Sequence, residues 1–298
     1  MKDAERAMKE LQKYIEDLGD KVNDDNIDDY TQQFIREYNR KVTLERMGHL
    51  EKSDEDKAND LYEEALETYN PTRAKKLLKN ALQLYPDFLD AKVELASYTR
   101  DTQKRFKEYD KLANEEKNNL EKQGFFSKDS IGYFYGILET RPYIRLLFRT
   151  ATEYREMGAF RKAMAVYEKI IELNENDNTG SRFELMGIYA TLEETEKMDA
   201  IIKKYPGDTV PGLLFQYVLA YKTLDFINAK KYIKKLYKFV PKIKDLLLDR
   251  IDLEEFVSGI LPGYYSPYSL EEVMMYMNAF EHLFMDDEML DFIVKTIR

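Results

Sequence analysis

The sequence predicts an all-α protein, a solenoid of antiparallel helix pairs, and three observations carry that expectation. Apolar residues recur in steps of three and four along most of the 298 positions. Only 12 Gly and 8 Pro are present, too few for a many-stranded sandwich or barrel that needs turn chemistry every ~8–12 residues. A short helical pattern also recurs three times, each copy preceded by another helical segment.

From the N-terminus, Ala4, Met8, Leu11, Ile15 and Leu18 mark one face of an amphipathic helix. A turn follows over 19–26, after which Asp28 is placed to cap a second helix reaching about Gly48, with Phe34, Ile35, Tyr38, Val42, Leu44 and Met47 as its apolar positions. These two form an expected hairpin cap over 1–55. The recurring pattern then appears as Ala74/Leu78/Ala81/Pro86, Phe160/Ala163/Tyr167/Ile170 and Phe226/Ala229/Ile233/Leu236/Pro241. An alanine in each copy lets the two helices of a pair cross closely, and proline ends the second helix because it cannot donate the next backbone bond.

The positions resemble the tetratricopeptide repeat, which sets an aromatic, then a small residue, then spaced apolar positions, then proline. The resemblance implies a right-handed α-solenoid with helical caps at both ends and a concave groove lined by the first helix of each pair. The 66 residues between Ala163 and Ala229 leave room for one degenerate unit, supplied by 181–192 and 194–205 ahead of Pro206. Residues 87–123 read as a further pair, but Glu108 stands where the small residue belongs, so this unit must cross differently or extend its helix. Phe125, Phe126 and Tyr133–Tyr135 form an aromatic connection expected to pack on the array. Helices over 242–257 and 269–284 and a last one to Ile297 are expected to cap the end. The organisation is therefore 1–55 cap, 56–123 helix pairs, 124–241 repeats and 242–298 C-terminal cap.

Two segments are similar to a narrower group, bacterial tetratricopeptide proteins of the suppressor-of-tumorigenicity-7 type. They are Glu139–Arg145, leading into a repeat that closes at 173–182, and the tail Gly263-Tyr264-Tyr265-Ser266-Pro267 with its following helix. Glu175 and Thr179 depart from that group's usual Pro and Gln. The resemblance implies fold and an interaction role and brings no catalytic residues.

Composition narrows the function. Charged residues are 34% of the chain, yet 44% is hydrophobic with 23 Tyr and 16 Phe, enough apolar surface to fold. A net charge of -10 argues against holding phosphate backbones, which is driven by Lys and Arg. Cysteine is absent, and His49 and His282 stand far apart, so no metal set is expected. Neither G-x-G-x-x-G, G-x-x-x-x-G-K-S/T nor G-x-S-x-G occurs. No cofactor and no catalysis are expected, and no apolar run approaches the roughly 18 residues of a membrane span. The start, Met1–Arg6, has no signal-peptide stretch, so a cytoplasmic location is the expectation.

What remains is a protein-protein interaction scaffold that binds a peptide or helix of a partner in its concave groove, with self-association also open. Arg145 and Arg149 are i,i+4 neighbours that can face one ligand carboxylate, and Arg155 follows on the same helix. Surface pairing with Glu139 or Glu153 is the competing reading of the two arginines. Tyr221 projects from a first helix and can stack on a peptide, or simply pack. The alternative function is a regulatory or nucleic-acid-associated repeat protein using Lys230, Lys231, Lys234 and Lys235, which fall on a second helix.

Overall fold

The computed structural model describes residues 2–248, 250–251 and 265–297. The described residues are overwhelmingly helical, the all-α class that the sequence predicts, and none of their helices is long and apolar enough to cross a membrane. The chain forms two compact units, Met1–Thr150 with Glu172–Asn176, and Ala151–Ile171 with Asp177–Arg298.

Unit 1 contains α1 (Lys2–Leu18), α2 (Ile27–Arg46), α3 (Asp54–Glu67), α4 (Pro71–Leu84), α5 (Leu89–Ser97), α6 (Thr102–Lys122) and the start of α7 (Arg141–Glu156). Asp28 is not the cap of α2. That helix starts at Ile27, with Asn26 in the cap position, which leaves Asp28 in the first turn facing the positive helix end. The α3–α4 pair shows how sequence fixes the elements. Ser53 Oγ accepts from the Asp56 N–H at 3.1 Å, and Asn70 Oδ1 accepts from Thr72 and Arg73 at 3.0 and 3.2 Å, with Pro71 in the first turn. Helix α4 stops at Leu84, two residues before Pro86. Between the helices lie Ala58, Ala65, Ala74, Leu78 and Ala81, all essentially inaccessible. Alanine has no rotamer freedom to lose and no bulk to hold the axes apart, so the pair crosses closely.

The unit with Glu108 in the small position resolves as an extended helix. At 21 residues, α6 buries Phe106, Tyr109, Leu112 and Leu120 along one side. The aromatic connection packs as expected: Phe134 is fully buried, with the Phe126 ring edge-on at 5.0 Å, while Tyr133 stays exposed. Its backbone is pinned where the Gly132 and Phe134 N–H groups donate to the Leu173 carbonyl at 3.1 and 3.0 Å. Thr140 closes the loop by donating to the Phe134 carbonyl, which sets the first turn of α7.

Unit 2 holds most of α8 (Phe160–Leu173), then α9 (Ser181–Leu192), α10 (Thr195–Lys204), α11 (Val210–Lys222), α12 (Phe226–Phe239), α13 (Ile243–Leu247), α14 (Leu270–Ala279) and α15 (Asp287–Thr296). Of the helix expected over 242–257, only α13 is described. Positions 252–257, with Gly263 and Tyr264 of the tail motif, lie outside the described residues. Ala163 and Ala229, the crossing alanines, are both fully buried. Helix α11 is apolar nearly all round, from Val210 through Ala220, and packs against α9, α12 and α14. Tyr217 gives this interior a polar anchor by donating to the Met289 carbonyl at 2.5 Å.

In the turn before α9 the left-handed backbone falls on Asp177 (φ 49°) and Gly180 (φ 73°). Asp177 Oδ2 accepts from the Arg182 N–H at 3.1 Å, with the Arg182 guanidinium at 3.5 Å. Burial outweighs these bonds and pushes the Asp177 carboxyl up to about 6. The folded protein therefore holds this proton at a pH where the unfolded chain has lost it, so stability falls as pH rises from about 4 to about 6. Asp177→Asn keeps the accepting oxygen and tolerates the backbone. The parent's stability relative to Asp177→Asn should drop by roughly 2–3 kcal/mol across that window in urea titrations at stepped pH.

Candidate functional site

A large concavity belongs to unit 1, a cleft of about 1200 Å³. Its walls come from α1 and α2 on one side and, on the other, from α3, the start of α5, the end of α6 and the start of α7. First helices (α1, α3, α5, α7) and second helices (α2, the end of α6) both line it. Helix α3 makes this possible by dividing its faces: Ala58 and Ala65 go to the core, whereas Glu55, Asn59, Glu63 and Glu67 border the cleft. The floor is aromatic. The Phe88 ring lies 5.1 Å from Tyr62 and 5.5 Å from Tyr85, and across the cleft Phe34 lies 5.6 Å from Tyr14 and 5.5 Å from Tyr38.

Its charge is lopsided. Fourteen carboxylates and five cations line the cleft, so it carries nine of the chain's ten surplus negative charges. The field is felt locally. The Tyr85 hydroxyl is pushed above the ordinary tyrosine range by burial first, then by Glu55, Asp87, Glu116 and Asp90. Glu116 is itself raised, chiefly by burial.

Two arginines hold the walls together. Arg6 of α1 reaches Asp56 at 2.7 Å, Glu45 at 3.0 Å and Glu10 at 3.3 Å, and Lys41 joins through Glu10 at 2.7 Å. Arg145 of α7 grips Asp90 through Nε and Nη2 at 2.8 and 2.6 Å and meets Glu5 of α1 at 3.1 Å. Burial opposes the Arg145 charge, but Asp90 and Glu5 more than compensate and hold its pKa above the usual value.

The residues expected from sequence fall apart into two settings. Arg145 borders the cleft, but its fork is engaged by Asp90 and Glu5, not by Glu139, which accepts from Gln12 at 3.1 Å. Arg149 is exposed one turn further on, where its positive field reaches Tyr62 and Tyr98. Arg155 lies in unit 2, nearly buried. It pairs with Glu184 at 2.9 Å, donates to the Ala279 carbonyl at 2.5 Å and covers the Phe280 ring, tying α7 to α9 and α14. Tyr221 is half-buried between Phe226 at 5.6 Å and Phe292 at 5.4 Å. A smaller cleft of about 230 Å³ in unit 2 is bordered by Arg182, whose guanidinium lies over Phe183 and Tyr205.

Sequence reasoning missed Tyr85, Phe88, Asp87 and Glu116. A signal is present in Tyr85-Pro86-Asp87-Phe88-Leu89-Asp90, where aromatics alternate with acids at a repeat junction, but the repeat pattern accounts for Pro86 only as a helix stop.

Among the described residues, no group of three or more His, Asp or Glu could hold a metal ion. The buried crossing alanines and the second helices that stop ahead of Pro86, Pro206 and Pro241 define an all-α protein built of antiparallel helix pairs. No protein-family model and no curated protein matches the chain. Among solved structures it is similar to a tetratricopeptide repeat protein from Parabacteroides merdae ATCC 43184, with 15% identity and a TM-score of 0.42 over 81% of this chain and 99% of that one.

Proposed function

We propose that the chain is a non-enzymatic scaffold that holds a peptide or helix of another protein in the unit 1 cleft. The single observation carrying this is the cleft itself. At about 1200 Å³ it exceeds a typical small-molecule pocket, and its aromatic floor is bordered by helices of successive pairs. Tyr85, with Tyr14 and Tyr38 across the cleft, supplies rigid apolar contact at small entropic cost, the usual material of an interface centre, and buried Tyr62 and Phe88 back Tyr85 from the core. Arg145 enters this reading as the brace that joins α1, α5 and α7 at the rim, with exposed Arg149 one turn further along α7. In unit 2, Arg155 and Tyr221 belong to packing around α14 and α15. The caps are 1–55 and 242–298, the working pairs lie over 56–123 and 124–241, and the protein acts in the cytoplasm.

The experiment is photo-crosslinking in native cell extract with a benzophenone amino acid replacing Tyr85. A partner protein is expected at position 85 and not at Ile227, an 84% exposed position on the second helix of a unit 2 pair.

A further inference from the structure

The cleft reading above leaves the partner's chemistry open, and the charges that line the cleft narrow it. Nine surplus negative charges repel nucleic acid and acidic peptides alike. The cations already inside, Arg6, Lys41 and Arg145, are this chain's own demonstration of what the site takes. They do not exhaust it. Asp87 meets Lys92 only at 3.8 Å and Glu55 meets Lys9 at 3.5 Å, both in exposed and therefore weak pairs. Those two acids and Glu116 surround the Tyr85–Phe88 ring pair, and the half-buried Tyr85 turns aromatic surface to the cleft. Aromatic faces within a ring of carboxylates attract a lysine or arginine side chain twice over, through the ring quadrupole and through charge.

We infer that the partner segment is basic, and that its lysine or arginine side chains dock on Tyr85, which buried Phe88 backs, between Glu55, Asp87 and Glu116. This rests on the cleft being the docking surface. The segment runs along α3, where Glu63 and Glu67 continue the acidic border for further cations. Because the recognition is largely electrostatic at an open surface, salt weakens it.

Fluorescence anisotropy with two labelled 12-residue peptides, alternating Lys-Ala and alternating Glu-Ala, tests the inference at 50 and 300 mM NaCl. The Lys-Ala peptide is expected to bind and the Glu-Ala peptide not. Asp87→Asn/Glu116→Gln should weaken Lys-Ala binding about tenfold, and Tyr85→Leu about fivefold. Glu196→Gln/Asp199→Asn, which removes the same charge from exposed positions of unit 2, should leave binding unchanged. Circular dichroism confirms that each variant is folded. Equal weakening by the unit 2 pair, or equal binding of both peptides, overturns the inference. Crosslinking keeps the two levels separate. A partner caught at position 85 through a segment without Lys or Arg leaves the cleft reading standing and overturns the basic one, whereas no capture at position 85 overturns both.

Discussion

Arg6→Ala is expected to destabilise unit 1 by about 3–5 kcal/mol, because it removes the cation from a pair of carboxylates that are already out of water. The Glu45 side chain is only 1% exposed and that of Asp56 9%, and Arg6 bridges both. Alanine cannot replace the charge, and α1 has no fully buried side chain among its described positions to hold it by apolar contact alone. Glu45 then keeps only Lys41, 4.0 Å away, as a cation partner, and α1 loosens from α2 and α3. Thermal unfolding should show a midpoint lower by roughly 6–15 °C for a unit of this size, and limited proteolysis should cut between α1 and α2. Adding Glu45→Gln to Arg6→Ala removes the stranded charge, so the double variant should recover part of the loss. A single variant as stable as the parent would mean that the network contributes nothing.

Gly187→Ala should cost unit 2 about 3 kcal/mol, despite the better helix propensity of alanine. A Cβ at this position would lie 2.3–2.6 Å from ring atoms of Phe280, far inside contact distance. Phe280 cannot retreat. It is fully buried, 4.9 Å from the Phe215 ring, with the Arg155 guanidinium over its face. The new methyl must therefore push α14 off α9, breaking the bond from Arg155 to the Ala279 carbonyl. Hydrogen exchange should accelerate through 270–297 while unit 1 remains protected. Gly187→Ala/Phe280→Leu, which opens space for the methyl, should restore much of the stability. Unchanged exchange in Gly187→Ala would show that Phe280 does not pin the C-terminal helices.

Much of the fold was legible because it is written in local residues. The alanines at 74, 163 and 229 and the prolines at 86, 206 and 241 each act within one helix pair, so a repeat search finds them, and α9 and α10 appear where the spacing left room. Glu108 was also informative, since the misfit alanine position coincides with the extended α6. The cleft was not legible. Its carboxylates come from positions 5 to 139, each one unremarkable in an acidic chain, and only the fold gathers them. Arg145 illustrates the difference. Helical spacing offers it neighbours one turn away, but its partners are Asp90 and Glu5, 55 and 140 positions distant. Arg149, Arg155 and Tyr221 were chosen by the same one-helix logic, which cannot tell a residue facing solvent from one braced beneath a later helix.

Docking of a partner protein in the unit 1 cleft is the central claim, and crosslinking from inside the cleft tests it most directly. Position 85 borders the cleft, so a reporter there reaches a ligand bound in it. The predicted result is a discrete crosslinked protein at position 85 that is absent at position 227 and lost when excess Lys-Ala peptide is added. Capture at position 227 with none at position 85 would contradict the claim and move the working surface to unit 2.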